Sequence, residues 1–149
     1  MTAANVRGSR KSDIHHMLKR GLRDQDSAEL KAMDVDEQLT LEHGLEHSDQ
    51  CLTVVVNSNP CGMFGVVRQN ERAGVIWFLG TDDLFKASRK FLRESKVWLD
   101  RISSGYDLVG NIVHKDNKVS IRWLSWLGFE FFDSHGDFIN FARIQHVRS

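Results

Sequence analysis

The side chains able to do chemistry in this 149-residue chain fall into a few short stretches. Asp24 to Asp49 carries Asp24, Asp26, Glu29, Asp34, Asp36, Glu37, Glu42, Glu46 and Asp49 against a single Lys31. A pattern of this kind usually serves as a solvated helical surface. Inside it, EHGLEH sets His43 and His47 four residues apart, on one face of a helix, at the spacing of a two-ligand metal site. No convincing third ligand accompanies them and Gly44 loosens the helix between, so surface histidines and no metal are expected; His15 and His16 read the same way. Cys51 and Cys61 lie on adjacent predicted strands. Opposing Asn57 to Pro60 would set Cys51 against Val66 and Cys61 against Val56, too far out of step to bridge, so reduced core thiols are expected. Asn111, His114, Asn117 and Ser120 gather in the stretch from Leu108 to Phe129. The chain has no Gly-x-Ser-x-Gly, Walker loop, zinc knuckle or His-Glu-x-x-His.

The composition narrows the class of partner. Twenty basic and twenty acidic residues give no formal net charge, against the basic excess expected of a general nucleic-acid binder. A hydrophobic share of 41% and a charged share of 27% are ordinary for a globular protein. No apolar run approaches the roughly 18 residues of a membrane span, and the polar N-terminus lacks a signal-peptide core, so a cytoplasmic location is expected. The length suits one domain over residues 1–149.

These side chains need elements to hold them. A short edge strand is expected around Asn5 to Arg7, then a helix capped at Ser12 or Asp13 with Ile14, Met17, Leu18 and Leu22 on its apolar face, loosened at Gly21. One or two helices should follow from Asp24. Cys51 to Val56, Gly62 to Val67 and Val75 to Leu79 read as a three-stranded antiparallel meander. Its last member, VIWFL, is apolar on both faces, as a covered central strand would be. Gly80-Thr81-Asp82-Asp83 should open a long helix, with Leu84, Ser88, Phe91, Leu92, Ser95, Trp98, Leu99 and Ile102 on one face and a basic opposite face. Leu108 to Val113 is a strand. A helix capped by Asp116 or Asn117 follows, stopped by Gly128, and two further strands close the chain.

That order of elements resembles the GNAT superfamily of acyl-CoA-dependent N-acetyltransferases. Asn117, Ser120 and the closing Gly128-Phe129 look like its late motif. Gly110-Asn111-Ile112-Val113 followed by Asn117 to Leu124 is similar to a GNAT-like family of short-tailed bacteriophages, some of whose members are internal virion proteins. The resemblance implies an α/β (α+β) fold: a central mixed, mostly antiparallel sheet of about six to seven strands flanked by about four helices. It implies acetyl-CoA as cofactor, facing Leu79, Gly80, Thr81, Asp82, Leu84, Asn117 and Ser120. The substrate cleft would hold Trp77, with Asn111 and His114 as candidate catalytic groups, although Asn111 could equally satisfy buried backbone. The acceptor would be a cationic amine or a protein attacking the thioester directly. The phage likeness implies action in the cytoplasm of an infected bacterial host, with a virion or host protein as partner.

Two departures shape that expectation. The superfamily's Gln/Arg-x-x-Gly-x-Gly/Ala loop, whose amides hold pyrophosphate, is replaced by Leu79-Gly80-Thr81-Asp82-Asp83. Thr81 or Asp82 could simply cap the next helix there. Leu124 stands where many members place a proton-donating tyrosine, and the sole tyrosine, Tyr106, lies outside the motif. The alternative to an enzyme is a GNAT-fold virion or host-interaction protein without catalytic activity.

Overall fold

The computed structural model describes residues 4–86 and 89–145. Seven strands form one sheet in the order β1-β2-β3-β4-β5-β7-β6, with helices on both faces. The strands are β1 (Ala4–Gly8), β2 (Ser48–Val56), β3 (Asn59–Arg68), β4 (Ala73–Gly80), β5 (Leu108–His114), β6 (Glu130–His135) and β7 (Phe138–Ile144). Five helices accompany them: α1 (Lys11–Arg20), α2 (Asp24–Ala32), α3 (Glu37–His47), α4 (Arg89–Ser103) and α5 (Lys118–Trp126). This is the expected mixed, mostly antiparallel sheet, and Asp24 to His47, read as one or two helices, forms two.

Strand alternation divides the core. Met63 and Leu79 pair across β3 and β4 and point to the side of α1–α3, packing with Ile14, Met17, Leu30 and Leu41. Phe64 and Phe78, one residue along, point to the other side, where Phe91, Leu99 and Ile102 of α4 and Leu127 after α5 close over them. VIWFL is therefore apolar throughout because both faces of β4 are covered.

Several local expectations change. The α1 cap is Arg10 rather than Ser12 or Asp13: Asp13 is its third helical residue, and its carboxylate reaches back to accept the Arg10 amide at 2.9 Å. A two-residue turn at Asn57 and Ser58, both at positive φ, shifts the hairpin register by one. Cys51 then opposes Gly65, and Cys61 falls in a bulge between the pairs Val54–Gly62 and Val55–Pro60. Both thiols are free. Burial, helped by the charge of Asp83, pushes the Cys61 thiol up to about 12. The long helix does not begin at Gly80: Asp82–Lys86 is a 3-10 turn, and α4 starts at Arg89. Ser88 lies outside the described residues.

One polar cluster and one close approach set how α1 and α3 meet the sheet. Asp13 is almost fully buried and accepts two bonds from the Arg7 guanidinium at 2.9 Å and one from Thr53 Oγ1 at 2.8 Å, tying β1, α1 and β2 together. Gly44 on α3 lets the Trp77 indole of β4 lie against the helix backbone; a Cβ there would sit 2.4 Å from Trp77 Cζ2.

Replacing Gly44 by Ala adds about 1 kcal/mol of helix propensity but about 1–3 kcal/mol of overpacking against a ring tethered by its Nε1 bond to Ser48 Oγ at 2.8 Å. Gly44→Ala should therefore lower the urea midpoint; an unchanged or higher midpoint contradicts this packing. For Asp13, burial alone would raise the carboxyl, yet the bonds from Arg7, the Arg10 amide and Thr53 together hold it below the usual carboxylate range. Its contribution is thus fully present above the unfolded-state value near 4 and lost as pH falls through the lower folded value. Asp13→Asn should cost about 2–3 kcal/mol at pH 7, less than a wholly buried pair because Arg7 is partly exposed. The difference from the native chain should shrink below about pH 4, as read by urea unfolding across pH.

Candidate active site

The sheet holds an opening at its centre. β4 and β5 are parallel and pair only at Ala73–Leu108, Gly74–Val109 and Val75–Gly110. Beyond that point β4 stays laddered to β3 as far as Gly80, and β5 to β7 as far as His114. Each strand follows its own half of the twisted sheet, and the two diverge. Asn111 sits at the fork. Its Nδ2 donates to the Ile76 carbonyl and its Oδ1 accepts the Ile112 amide, both at 2.7 Å. The side chain thus satisfies backbone groups exposed where the ladder stops.

α2 bridges the open ends of the fork. Asp26 Oδ2 accepts the Gly80 amide at 2.9 Å, holding the end of β4. Glu29 Oε1, one helical turn on, accepts the His114 amide at 2.9 Å and Asn117 Nδ2 at 3.0 Å, holding the end of β5 and the start of α5. The i, i+3 spacing puts both carboxylates on one helix face. Asp26 is also gripped by Arg23 through two bonds of 3.0 Å, and the Arg23 guanidinium lies 5.7 Å from the Phe78 ring centre. Burial raises the Asp26 carboxyl despite these partners, as expected for an ion pair removed from water.

A cavity of about 200 Å³ runs through the fork. On the α2–α3 side it is lined by Asp26, Glu29, Met33 and Trp77, and on the other by Phe78, Phe91, Trp98, Trp123 and Leu124, with Asn111 and Ile112 between. It is smaller than the roughly 300–1,000 Å³ of pockets that engulf a whole drug-sized ligand, and suits a narrow arm passing through the sheet. The α2–α3 side carries the Asp26 and Glu29 carboxylates, the first paired with the Arg23 guanidinium that also lines the cavity, and the other side is aromatic. Both Glu29 bonds fall on Oε1, leaving Oε2 as the oxygen available to an amine.

The residues singled out from the sequence are distributed unevenly. Trp77, Leu79, Asn111 and Ser120 line the cavity. Asn117 is buried at the cap of α5, where its Oδ1 accepts the Ser120 amide at 3.2 Å, and it meets the site through Glu29. His114 reaches the site through its backbone; its Nδ1 accepts the Asp116 amide at 3.1 Å and its ring packs edge-on against Phe138. Gly80, Thr81, Asp82 and Leu84 stand at the end of β4, outside the lining. Their segment is already internally bonded: the Gly80 amide goes to Asp26, the Thr81 amide to the Cys61 carbonyl, the Asp83 amide to Thr81 Oγ1 and the Leu84 amide to the Thr81 carbonyl. Asp83 pairs with Arg20 at 3.1 Å. Tyr106 is also outside the lining; its hydroxyl donates to Asp49, and burial and that carboxylate push it up to about 12. Among the described residues no group of three or more His, Cys, Asp or Glu could hold a metal ion, and His43 and His47 stack with ring centres 4.4 Å apart.

The residues missed from the sequence are Arg23, Asp26 and Glu29 as a unit. Their i, i+3 repeat was the available signal, lost among neighbouring acids that face solvent.

No family model and no curated protein sequence matches this chain. Solved structures do match. A protein of Pyrococcus horikoshii OT3 superposes with a TM-score of 0.74 at 12% identity, covering 97% of this chain and 100% of its own. The GNAT domain of S. lividans PAT gives 0.70 at 14% identity, covering 95% of this chain and 90% of its own. The spermidine N-acetyltransferase of Vibrio cholerae, solved with CoA and spermine, gives 0.63 at 14% identity and covers 95% of each chain. What the chain shares with them is the fold, and that fold is the GNAT fold.

Proposed function

We propose that this protein is an acyl-CoA-dependent N-acyltransferase acting on a cationic amine. The observation that carries the proposal is the cavity through the β4–β5 fork, with carboxylates at one mouth and aromatic rings at the other. An acyl thioester is a narrow apolar arm, matched to the side of Phe78, Phe91, Trp98 and Trp123. An alkylammonium is attracted to the side of Glu29. The two reactants would meet inside the sheet, away from water, where positioning supplies much of the rate. The Vibrio cholerae enzyme, an amine acetyltransferase of the same fold, supports the pairing of donor and acceptor.

In the step we envisage, the amine gives its proton to Glu29 Oε2 and the freed lone pair attacks the thioester carbonyl carbon. A C–N bond forms, the tetrahedral intermediate collapses with loss of the C–S bond, and the extra proton left on nitrogen passes to the departing thiolate, because Leu124 has none to give. Asn111 fixes the width of the fork, and Asn117 fixes Glu29.

A second reading has its own support. The committed amides from Gly80 to Leu84, the carboxylates of Asp82 and Asp83, and Leu124 all suit a protein that kept the fold without the chemistry, as a phage virion or host-interaction component.

Calorimetric titration with acetyl-CoA separates the two: binding at or below millimolar cofactor is expected, and no heat at that concentration removes the enzyme reading. With an acceptor amine supplied, Glu29→Gln should lower acyl transfer roughly 10²- to 10⁴-fold while acetyl-CoA binding stays within a few-fold. Equal turnover of the two proteins would remove Glu29 from the chemistry.

A further inference from the structure

α1–α3 cover the sheet over β2 and β3, leaving the same face of β5, β7 and β6 open. The strand register maps that face row by row. Leu108 stands beside Ile144; Gly110 beside Ala142 and Glu130; Ile112 beside Asn140 and Phe132. Leu108, Phe132 and Ile144 are exposed, Ile144 to 76%. The middle row is small at Gly110 and Ala142, and a Cβ on Gly110 would lie 2.4 Å from the Phe141 carbonyl oxygen. The result is a shallow trough with apolar sides. It crosses about 14 Å from β6 to β4, three strand spacings, with room for about four residues of extended chain. At its inner end Ile112 lines the cavity beside Glu29.

The rim is acidic. Glu130 lies in the trough row, and Met33 and Thr40 bring the α2–α3 connection, with exposed Asp34 and Asp36, to the cavity mouth. A partner complementary to this surface carries positive charge, apolar side chains for the trough and an amine for Glu29. A free polyamine offers the charge without the side chains. We infer that the acceptor is a basic peptide segment of a protein, laid across the open face of β5, β7 and β6, with apolar residues beside the amine that enters the fork. This rests on the acyltransferase reading above and names its substrate class.

The test uses the full chain and three probes: a hexapeptide with one lysine between leucine and valine and arginine at each end, the same peptide with serine for the two apolar residues, and spermidine. Binding is read by fluorescence polarisation or calorimetry, and acetyl transfer by mass spectrometry. The apolar peptide should bind at least ten-fold more tightly than the serine peptide. Phe132→Ser and Ile144→Ser, both at exposed positions, should remove most of that difference while leaving the circular dichroism and the acetyl-CoA affinity unchanged. Spermidine acetylated as efficiently as the apolar peptide, with neither substitution affecting either, overturns the inference while leaving the acyltransferase reading intact. Peptide binding weakened by both substitutions, but without any acetyl transfer, supports the surface and fails the acyltransferase reading. A concentration-dependent dimer in sedimentation that Ile144→Ser dissolves assigns the face to a second copy and also overturns the inference.

Discussion

The early end of the β4–β5 pairing is the constraint on which the rest of the structure depends. Three parallel pairs cannot hold two strands together against the twist of the two half-sheets, and every strand past the fork exposes backbone that water would otherwise have to satisfy. The chain meets this with side chains. Asn111 supplies both a donor and an acceptor at the branch point, and Asp26 and Glu29 take the amides at the two open ends. The Asn111 amide does what a carboxylate there could not, because a carboxylate would face the Ile76 carbonyl with no proton to give.

The two buried aspartates show how environment decides what a carboxylate is for. Asp13 is buried, but Arg7, Thr53 and the Arg10 amide stabilise its charged form enough to lower its affinity for a proton. Asp26, equally buried, has only the two Arg23 bonds and the Gly80 amide, one donor fewer, and there the loss of water outweighs them and its proton affinity rises. The first works as a rivet between β1, α1 and β2. The second sits in the cavity wall, where a charged pair excluded from water keeps the end of β4 and the start of α2 in one arrangement. Glu29, only half-buried and bonded through one oxygen, is the member of the set with an oxygen to spare.

The segment after β4 tells the opposite story. Thr81 is fully buried, its carbonyl and hydroxyl accept the Leu84 and Asp83 amides, and its own amide is used by Cys61. A segment whose amides are taken by Asp26, by the Cys61 carbonyl and by its own Thr81 holds the strand end firmly and has fewer of them for an anion.

What the sequence by itself determined is the set of elements and their order. Period-two and helical periodicities are local, so β4, β5 and α5 and the cap at Asn117 were legible from the residues that form them, as was the stop at Gly128. Even there, short-range detail escaped: the turn at Asn57–Ser58 shifted the hairpin by one residue, and Asp13 became a bonded helical residue instead of the cap. Only the tertiary structure decided which polar residues belong to the site. Asp26 meets Gly80 across 54 positions, Glu29 meets His114 across 85, and Asn117 joins Glu29 across 88. The i, i+3 repeat alone does not separate Asp26 and Glu29 from neighbours such as Asp24 or Asp34, because their burial and partners exist only once α2 has been laid across the fork.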